Sequence, residues 1–118
     1  MTLLPNYASA VMEDSKLVSY ALNPRSEREQ HKARVFEHAL GFNLSNWEYL
    51  KRAILDALPA RPARFLSDTA FGKKYEVVVS ITGPNTRTVD VITIWQFDRL
   101  PDGMQYAEAP RLVTLYIP

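Results

Sequence analysis

The hydrophobic positions of the chain change their period near residue 70. Before that point, apolar side chains recur every three or four residues, which is typical of helices with one buried face. After it, β-branched and aromatic residues form short runs separated by turn residues, which favours strands. The pattern therefore predicts an α+β fold, with three N-terminal helices followed by an antiparallel β-meander of three or four strands.

The first helix is predicted over about 15–22. Asp14 precedes it and can cap its N-terminus, since a carboxylate there accepts the free N–H groups of the first turn. Leu17 and Ala21 recur at helical spacing and predict a buried face. The helix is expected to stop before Pro24, because the residue before a proline disfavours helical geometry.

The second helix is predicted to open at a capping box formed by Ser26 and Glu29. It is expected to end near Leu40, where Gly41 suits the left-handed position that follows many helices.

Ser45 and Glu48 form the capping box that predicts the start of the third helix. The helical part of the chain then covers about 14–58 and stops at Pro59. The following residues, 60–64, are predicted to be a surface loop.

Three runs, at 74–82, 87–97 and 111–117, are predicted strands. The sheet part therefore covers about 73–117. It is too short to fold alone, so the sequence predicts a single domain over residues 1–118.

The turn of the first hairpin decides which side chains share a face of the sheet. A two- or four-residue loop pairs Thr82 with Arg87 and sets polar residues opposite apolar ones. A three-residue type I turn with a bulge pairs Gly83 with Arg87 and puts Thr86 in the left-handed position. The second register is preferred, because it pairs Ile81 with Val89, Val79 with Val91, Val77 with Thr93 and Tyr75 with Trp95.

Composition excludes several classes of protein. The chain has 118 residues, 47% of them hydrophobic and 23% charged, which is ordinary for one globular domain. It has no cysteine and only two histidines, so disulfides and thiolate metal sites are excluded and no metal or cofactor is predicted. A net charge of +1 excludes strong non-specific nucleic-acid binding by bulk charge. Neither a signal peptide nor an apolar stretch of membrane-spanning length is visible, so we expect no membrane contact and a cytoplasmic location.

The order of several short motifs resembles a bacterial family of toxin-like domains of about 110 residues. The motifs are Leu4-Pro5-Asn6, Lys16-Leu17 with Tyr20, His31-Lys32-Ala33 with Phe36 and Leu40-Gly41, Gly83-Pro84-Asn85 with Arg87, Thr93 with Trp95, and Pro110 to Thr114 with Tyr116. The resemblance covers nearly the whole chain, although the family usually has glycine in place of Thr86. It implies a toxin–antitoxin or polymorphic toxin system with a small antitoxin-like or immunity-like partner. The layout is also similar to that of barnase-like, colicin-like and RelE-like ribonucleases.

The candidate residues are those that metal-independent RNA cleavage would need. RNA is therefore the expected ligand. The reaction needs a base, a cation beside the phosphate and an acid for the leaving oxygen. His31 is the predicted acid or base, because its ordinary pKa lies near neutrality. The predicted catalytic residues are His31, Lys32, Arg87, Arg111 and Thr114, and the predicted substrate-binding residues are Tyr116, Lys73 and Lys74.

A second hypothesis stays open. The sheet face away from the predicted core carries Val78, Ile92 and Ile94 among polar residues. A mixed face of this kind also suits a non-enzymatic module that docks a partner protein. Convergence of His31, Lys32, Arg87 and Arg111 on one cleft would favour the enzyme, and their dispersal would favour the binding module.

Overall fold

Two α-helices and a four-stranded antiparallel sheet make up the structure, a computed structural model that describes residues 1–118. The helices are α1, Gln30–Leu40, and α2, Trp47–Ala57. The strands are β1, Ala63–Thr69; β2, Gly72–Thr82; β3, Thr88–Asp98; and β4, Arg111–Tyr116. Each strand pairs with the next along the chain, in the order β1-β2-β3-β4. The predicted α+β class and the antiparallel meander are therefore confirmed. No helix has the length and apolar character that crossing a membrane requires.

The segment predicted as the first helix forms a short π-helix, Lys16–Ala21, instead of an α-helix. Asp14 does not cap it, and its carboxylate pairs with the Lys51 ammonium at 2.6 Å. The expectation of three regular helices is thus wrong in this segment. Pro24 limits the length of the segment, because the residue before a proline disfavours helical geometry, and a helix this short gains little from its own hydrogen bonds.

Helix α1 ends as predicted but begins later. The Ser26 hydroxyl accepts the Glu29 N–H at 3.2 Å, as a capping box requires, yet the α-helix starts only at Gln30. Gly41 follows it in the left-handed region, with φ 83°, and its N–H bonds to the Glu37 carbonyl at 2.9 Å. The predicted glycine after the helix is confirmed.

Helix α2 does not use its predicted cap. Asn46 is the residue that precedes the helix. Ser45 lies in the turn before it, where its N–H donates to the Asn43 side-chain oxygen at 2.8 Å. The capping box of Ser45 and Glu48 is therefore wrong, because an asparagine two residues earlier takes the serine N–H.

Strand β1 is an element that the sequence pattern missed. Residues 60–64 were expected to be loop, but Ala63 begins a strand that pairs with β2. The register shifts between Phe65 and Ser67, so the strand contains a bulge. A bulge breaks the alternation of apolar and polar residues, and this hid the strand. The sheet therefore starts at residue 63 rather than 73.

The N-terminal segment reaches both edge strands of the sheet. The Thr2 carbonyl accepts the N–H of Ala63 in β1 at 2.7 Å. Near its other end, the Val11 carbonyl accepts the N–H of Leu112 in β4 at 2.9 Å. Leu4 is buried between these two contacts. The segment is thus held at both edges and in the core.

The preferred register of the β2–β3 hairpin is confirmed. Val79 pairs with Val91 and Tyr75 with Trp95, and Val77 and Ile81 also meet their predicted partners. The Gly83 N–H bonds to the Arg87 carbonyl at 2.9 Å. Thr86 has φ 69°, which is the left-handed geometry expected of the bulge position.

Replacing Thr86 with glycine is expected to raise the free energy of unfolding by about 0.5–1 kcal/mol, because a β-branched residue is strained at positive φ. Thermal unfolding should show a melting temperature higher by a few degrees. Thr88→Gly is the matched control, since Thr88 lies in the extended part of β3 and glycine weakens a strand. A Thr86→Gly variant that melts below the parent contradicts the prediction.

One face of the sheet packs against both α-helices. Trp95 is fully buried, and its indole N–H donates to the Thr93 hydroxyl at 2.8 Å. That hydroxyl in turn donates to the Val77 carbonyl at 2.7 Å. Trp95 is therefore a core residue, as the preferred register predicts, and is not free to stack on a ligand. The other fully buried large side chains are Leu4, Leu17, Leu22, Phe36, Leu40, Phe42, Leu50, Ile54, Leu58, Ile81 and Leu112.

Candidate functional site

A cleft of about 350 Å³ opens between the π-helix, the start of α1 and β4. At its centre, the Lys32 ammonium donates to the Thr114 hydroxyl at 3.1 Å and pairs with the Glu29 carboxylate at 2.8 Å. Two of the predicted catalytic residues thus meet, although 82 positions separate them in the sequence. The cleft is lined by Lys16, Tyr20, Ala21, Arg28, Glu29, Lys32, Val113, Thr114 and Leu115.

Local structure explains how Lys32 and Thr114 meet. Lys32 lies in the first turn of α1, three residues after Glu29, so both side chains emerge on the same side of the helix. Thr114 lies at a bulge in β4, where the pairing with β3 shifts. β4 is an edge strand, so Thr114 is accessible to side chains that reach over the sheet edge.

The cleft is more basic than the chain as a whole. Lys16, Arg28 and Lys32 line it together with one carboxylate, that of Glu29. Lys16 and Arg28 form no ion pair, so their charges are available to a ligand. A local excess of positive charge in a concave site favours an anion such as a phosphate group.

His31 does not line this cleft. Its side chain is exposed and makes no hydrogen bond or ion pair. His31 directly precedes Lys32 in α1, and one residue along an α-helix corresponds to a rotation of about 100°. His31 therefore points away from the Lys32–Thr114 contact.

Arg87 is far from the cleft. It lies at the end of the hairpin turn, where its N–H donates to the Asn85 side-chain oxygen at 3.0 Å. Ile94, the partner of Thr114, lies seven residues further along the strand, which corresponds to about 23 Å. The structure does not bring Arg87 and Lys32 together.

Arg111 is engaged by a carboxylate. Its guanidinium donates two hydrogen bonds to Asp98, at 2.9 and 2.8 Å. These bonds raise the pKa of Arg111, and they hold the pKa of Asp98 below its ordinary range, with help from a hydrogen bond of Gln96. A bidentate pair of this kind fixes the strand end and leaves fewer donors for a phosphate.

The predicted substrate-binding residues lie in three other places. Lys73 and Lys74 pair with Phe97 and Gln96, and as neighbours in a strand they emerge on opposite faces of the sheet. Tyr116 pairs with Ile92 on the face away from the helices and is 38% exposed. None of the three lines the cleft.

Several cleft residues were not predicted. Lys16 and Tyr20 occur in the family motifs, but nothing in the sequence indicated that they meet Lys32. Arg28 was not singled out, and Glu29 was interpreted only as part of a capping box with Ser26. Their spacing of four and three residues before Lys32 is the signal that places them on its side of the helix.

A second polar cluster, also unpredicted, fixes the loop between β3 and β4. The Tyr106 hydroxyl donates to Asp68 at 2.6 Å, and Arg99 donates to the same carboxylate at 3.0 Å. The Tyr106 bond holds the pKa of Asp68 below its ordinary range and raises the pKa of Tyr106. The cluster ties the loop to β1.

Comparison with known proteins gives one family. A family model described as a domain of unknown function, DUF6883, matches residues 3–118. No curated protein matches the chain. No solved structure matches it either.

Proposed function

The chain belongs to the DUF6883 family, and from the Lys32 cleft we propose that it is a toxin-type, metal-independent ribonuclease. The observation that carries the proposal is the contact between Lys32 and Thr114, two candidate catalytic residues, inside a basic cleft. The toxin–antitoxin or polymorphic toxin setting comes from the resemblance of the motifs. We place the reaction in the cytoplasm, where RNA is present.

The charge of the cleft supports a phosphodiester as the substrate group. Lys16 and Arg28 form no ion pair and can contact the two free phosphate oxygens. A guanidinium offers a planar pair of donors that matches phosphate. These cations would stabilise the extra negative charge of the transition state.

The roles of acid and base fall to the two groups at the centre of the cleft. Glu29 holds the only carboxylate there and takes the proton of the 2′-hydroxyl as its oxygen attacks phosphorus. The bond from phosphorus to the 5′-oxygen then breaks, and that oxygen takes a proton from the Lys32 ammonium. The ammonium has three N–H groups, of which Glu29 and Thr114 accept two. The products are a 2′,3′-cyclic phosphate and a free 5′-hydroxyl.

Replacing Lys32 with methionine is expected to lower the rate of RNA cleavage about 100-fold, because the substitution removes the proposed acid and keeps the apolar stem. The assay follows a labelled RNA with the purified chain in EDTA, since the proposal uses no metal. The same substitution should relieve the growth defect that the unpartnered wild-type chain causes when expressed in bacteria.

Lys51→Met is the matched control. Lys51 also forms an ion pair, with Asp14 at 2.6 Å, and its side chain is 32% exposed against 20% for Lys32, but it lies outside the cleft. It should cleave RNA at the parental rate. His31→Gln should also keep most of the activity. Equal rates for the Lys32 and Lys51 variants, or no cleavage by the wild-type chain in EDTA, would refute the proposal.

One observation favours a protein-binding module as the second candidate. Val78, Ile92 and Ile94 are only partly buried on the sheet face that no helix covers, and Tyr116 lies beside Ile92. Of the four residues whose convergence on one cleft would favour the enzyme, only Lys32 lines the cleft, whereas His31, Arg87 and Arg111 lie outside it. This dispersal favours the binding module. An antitoxin-like or immunity-like protein could dock on that face. A chain that leaves RNA intact but binds such a protein would favour this function.

A further inference from the structure

Three aromatic side chains form a row across the first three strands. The ring centroids of Phe65 in β1 and Tyr75 in β2 lie 5.6 Å apart, and those of Tyr75 and Phe97 in β3 lie 5.7 Å apart. Both pairs have nearly perpendicular planes. The register places all three on the same face as Trp95. Unlike Trp95, however, Phe65 is 53% exposed.

A small pocket continues the row. It has a volume of about 170 Å³ and is lined by Pro5, Lys73, Tyr75, Phe97 and Tyr106. The Lys73 ammonium lies 4.4 Å from the centre of the Tyr106 ring and pairs with no carboxylate. The pocket thus combines apolar walls with the positive charge of Lys73, which the carboxylate of Asp68, its cross-strand partner, offsets in part. The hydrogen bond from Tyr106 to Asp68 holds its far wall in place.

We propose that this aromatic row and its pocket bind the bases of single-stranded RNA. The choice of RNA rests on the proposed ribonuclease function. Stacking on an aromatic ring suits every base, because each base has a flat π face, and a nearby cation attracts the backbone phosphate. Phe65 supplies an exposed ring on a strand, and Lys73 supplies the cation.

The row and the cleft lie in different parts of the sheet. Tyr75 pairs with Trp95, whereas Thr114 pairs with Ile94, whose side chain emerges on the opposite face from Trp95. Phe65 lies in β1, three strands from Thr114, which corresponds to about 15 Å across the sheet. An RNA strand that contacts both would therefore pass around an edge of the sheet.

The experiment measures binding of a short labelled single-stranded DNA, which has no 2′-hydroxyl and cannot be cleaved by the proposed reaction. Replacing Phe65 with alanine is expected to weaken binding about tenfold, because one stacked base is lost. Phe71→Ala is the matched control and should bind like the parent. Phe71 belongs to the same hairpin and is even more exposed, at 77%, but forms no aromatic pair.

A second probe is an abasic oligomer of the same length. The parent should bind it weakly, and the Phe65→Ala variant should bind it with the same low affinity as the parent. Equal binding of the abasic and base-containing oligomers by the parent would overturn the base-binding site, even if the chain cleaves RNA. Phe65-dependent binding of DNA without any cleavage of RNA would keep the site and overturn the ribonuclease. A parent that is a dimer and a Phe65→Ala variant that is a monomer, with equal DNA binding, would make the row a protein interface instead.

Discussion

Replacing Trp95 with alanine is expected to lower the free energy of unfolding by about 3–5 kcal/mol, as for other fully buried large aromatic residues. The ring is completely inaccessible to solvent in the centre of β3. Its removal leaves a cavity and deprives the Thr93 hydroxyl of the indole N–H. Since small domains are stable by only about 5–15 kcal/mol, much of the stability would be lost. Denaturant titration followed by circular dichroism measures the change.

Trp95→Phe separates the two contributions. The phenylalanine fills most of the space and removes only the hydrogen bond and part of the ring, so we expect a loss of about 1–2 kcal/mol. If Trp95→Ala lowered the free energy of unfolding no more than Trp95→Phe does, the packing of a large ring at this position would not contribute to the stability of the core.

A Gly83→Ala substitution is expected to lower the free energy of unfolding by roughly 3 kcal/mol or more, because the added methyl group would push the backbone of Leu40 away from that of Gly83. A Cβ atom at Gly83 would overlap the Leu40 carbonyl oxygen and lie 2.7 Å from the carbonyl carbon. The end of α1 would have to move away from the hairpin turn. That movement would also break the hydrogen bonds from Asn85 to the carbonyls of Ala39 and Leu40. Thermal unfolding measures the effect.

Gly103→Ala is the control for this substitution. Nothing lies within 4 Å of a Cβ atom there, and φ is 71°. Only backbone strain should therefore appear, at about 1 kcal/mol. A Gly83 variant no less stable than the Gly103 variant would mean that the close approach of α1 to the turn can relax at little cost.

The β2–β3 hairpin could be predicted in detail because its register depends on residues that are close together in the sequence. Only one turn length pairs Val79 with Val91, and that turn requires Thr86 at positive φ. Gly41 could be placed for the same reason, since a left-handed residue after a helix is marked by the residue type alone. Strand β1 could not, because a bulge after Phe65 breaks the periodicity by which strands are detected.

The candidate site depends on contacts that are distant in sequence, and it was predicted only in part. Lys32 and Thr114 were chosen for their chemistry, and the fold brings them to hydrogen-bond distance. Arg111 was chosen on the same grounds, but Asp98 holds it. Glu29 was missed because a charged residue at a helix start is common and has no chemical signature of its own. The sequence shows which residues are cationic, but the anion that each one contacts depends on the fold.

The N-terminal segment has a consequence for the behaviour of the chain in solution. An edge strand with free N–H and C=O groups is a template on which other chains can add strands, and aggregation begins in this way. Thr2 occupies part of the β1 edge and Val11 part of the β4 edge, while the bulge after Phe65 bends the rest of β1 out of regular pairing. One short stretch of polypeptide thereby covers one end of each edge strand, and strand addition at those two ends is disfavoured.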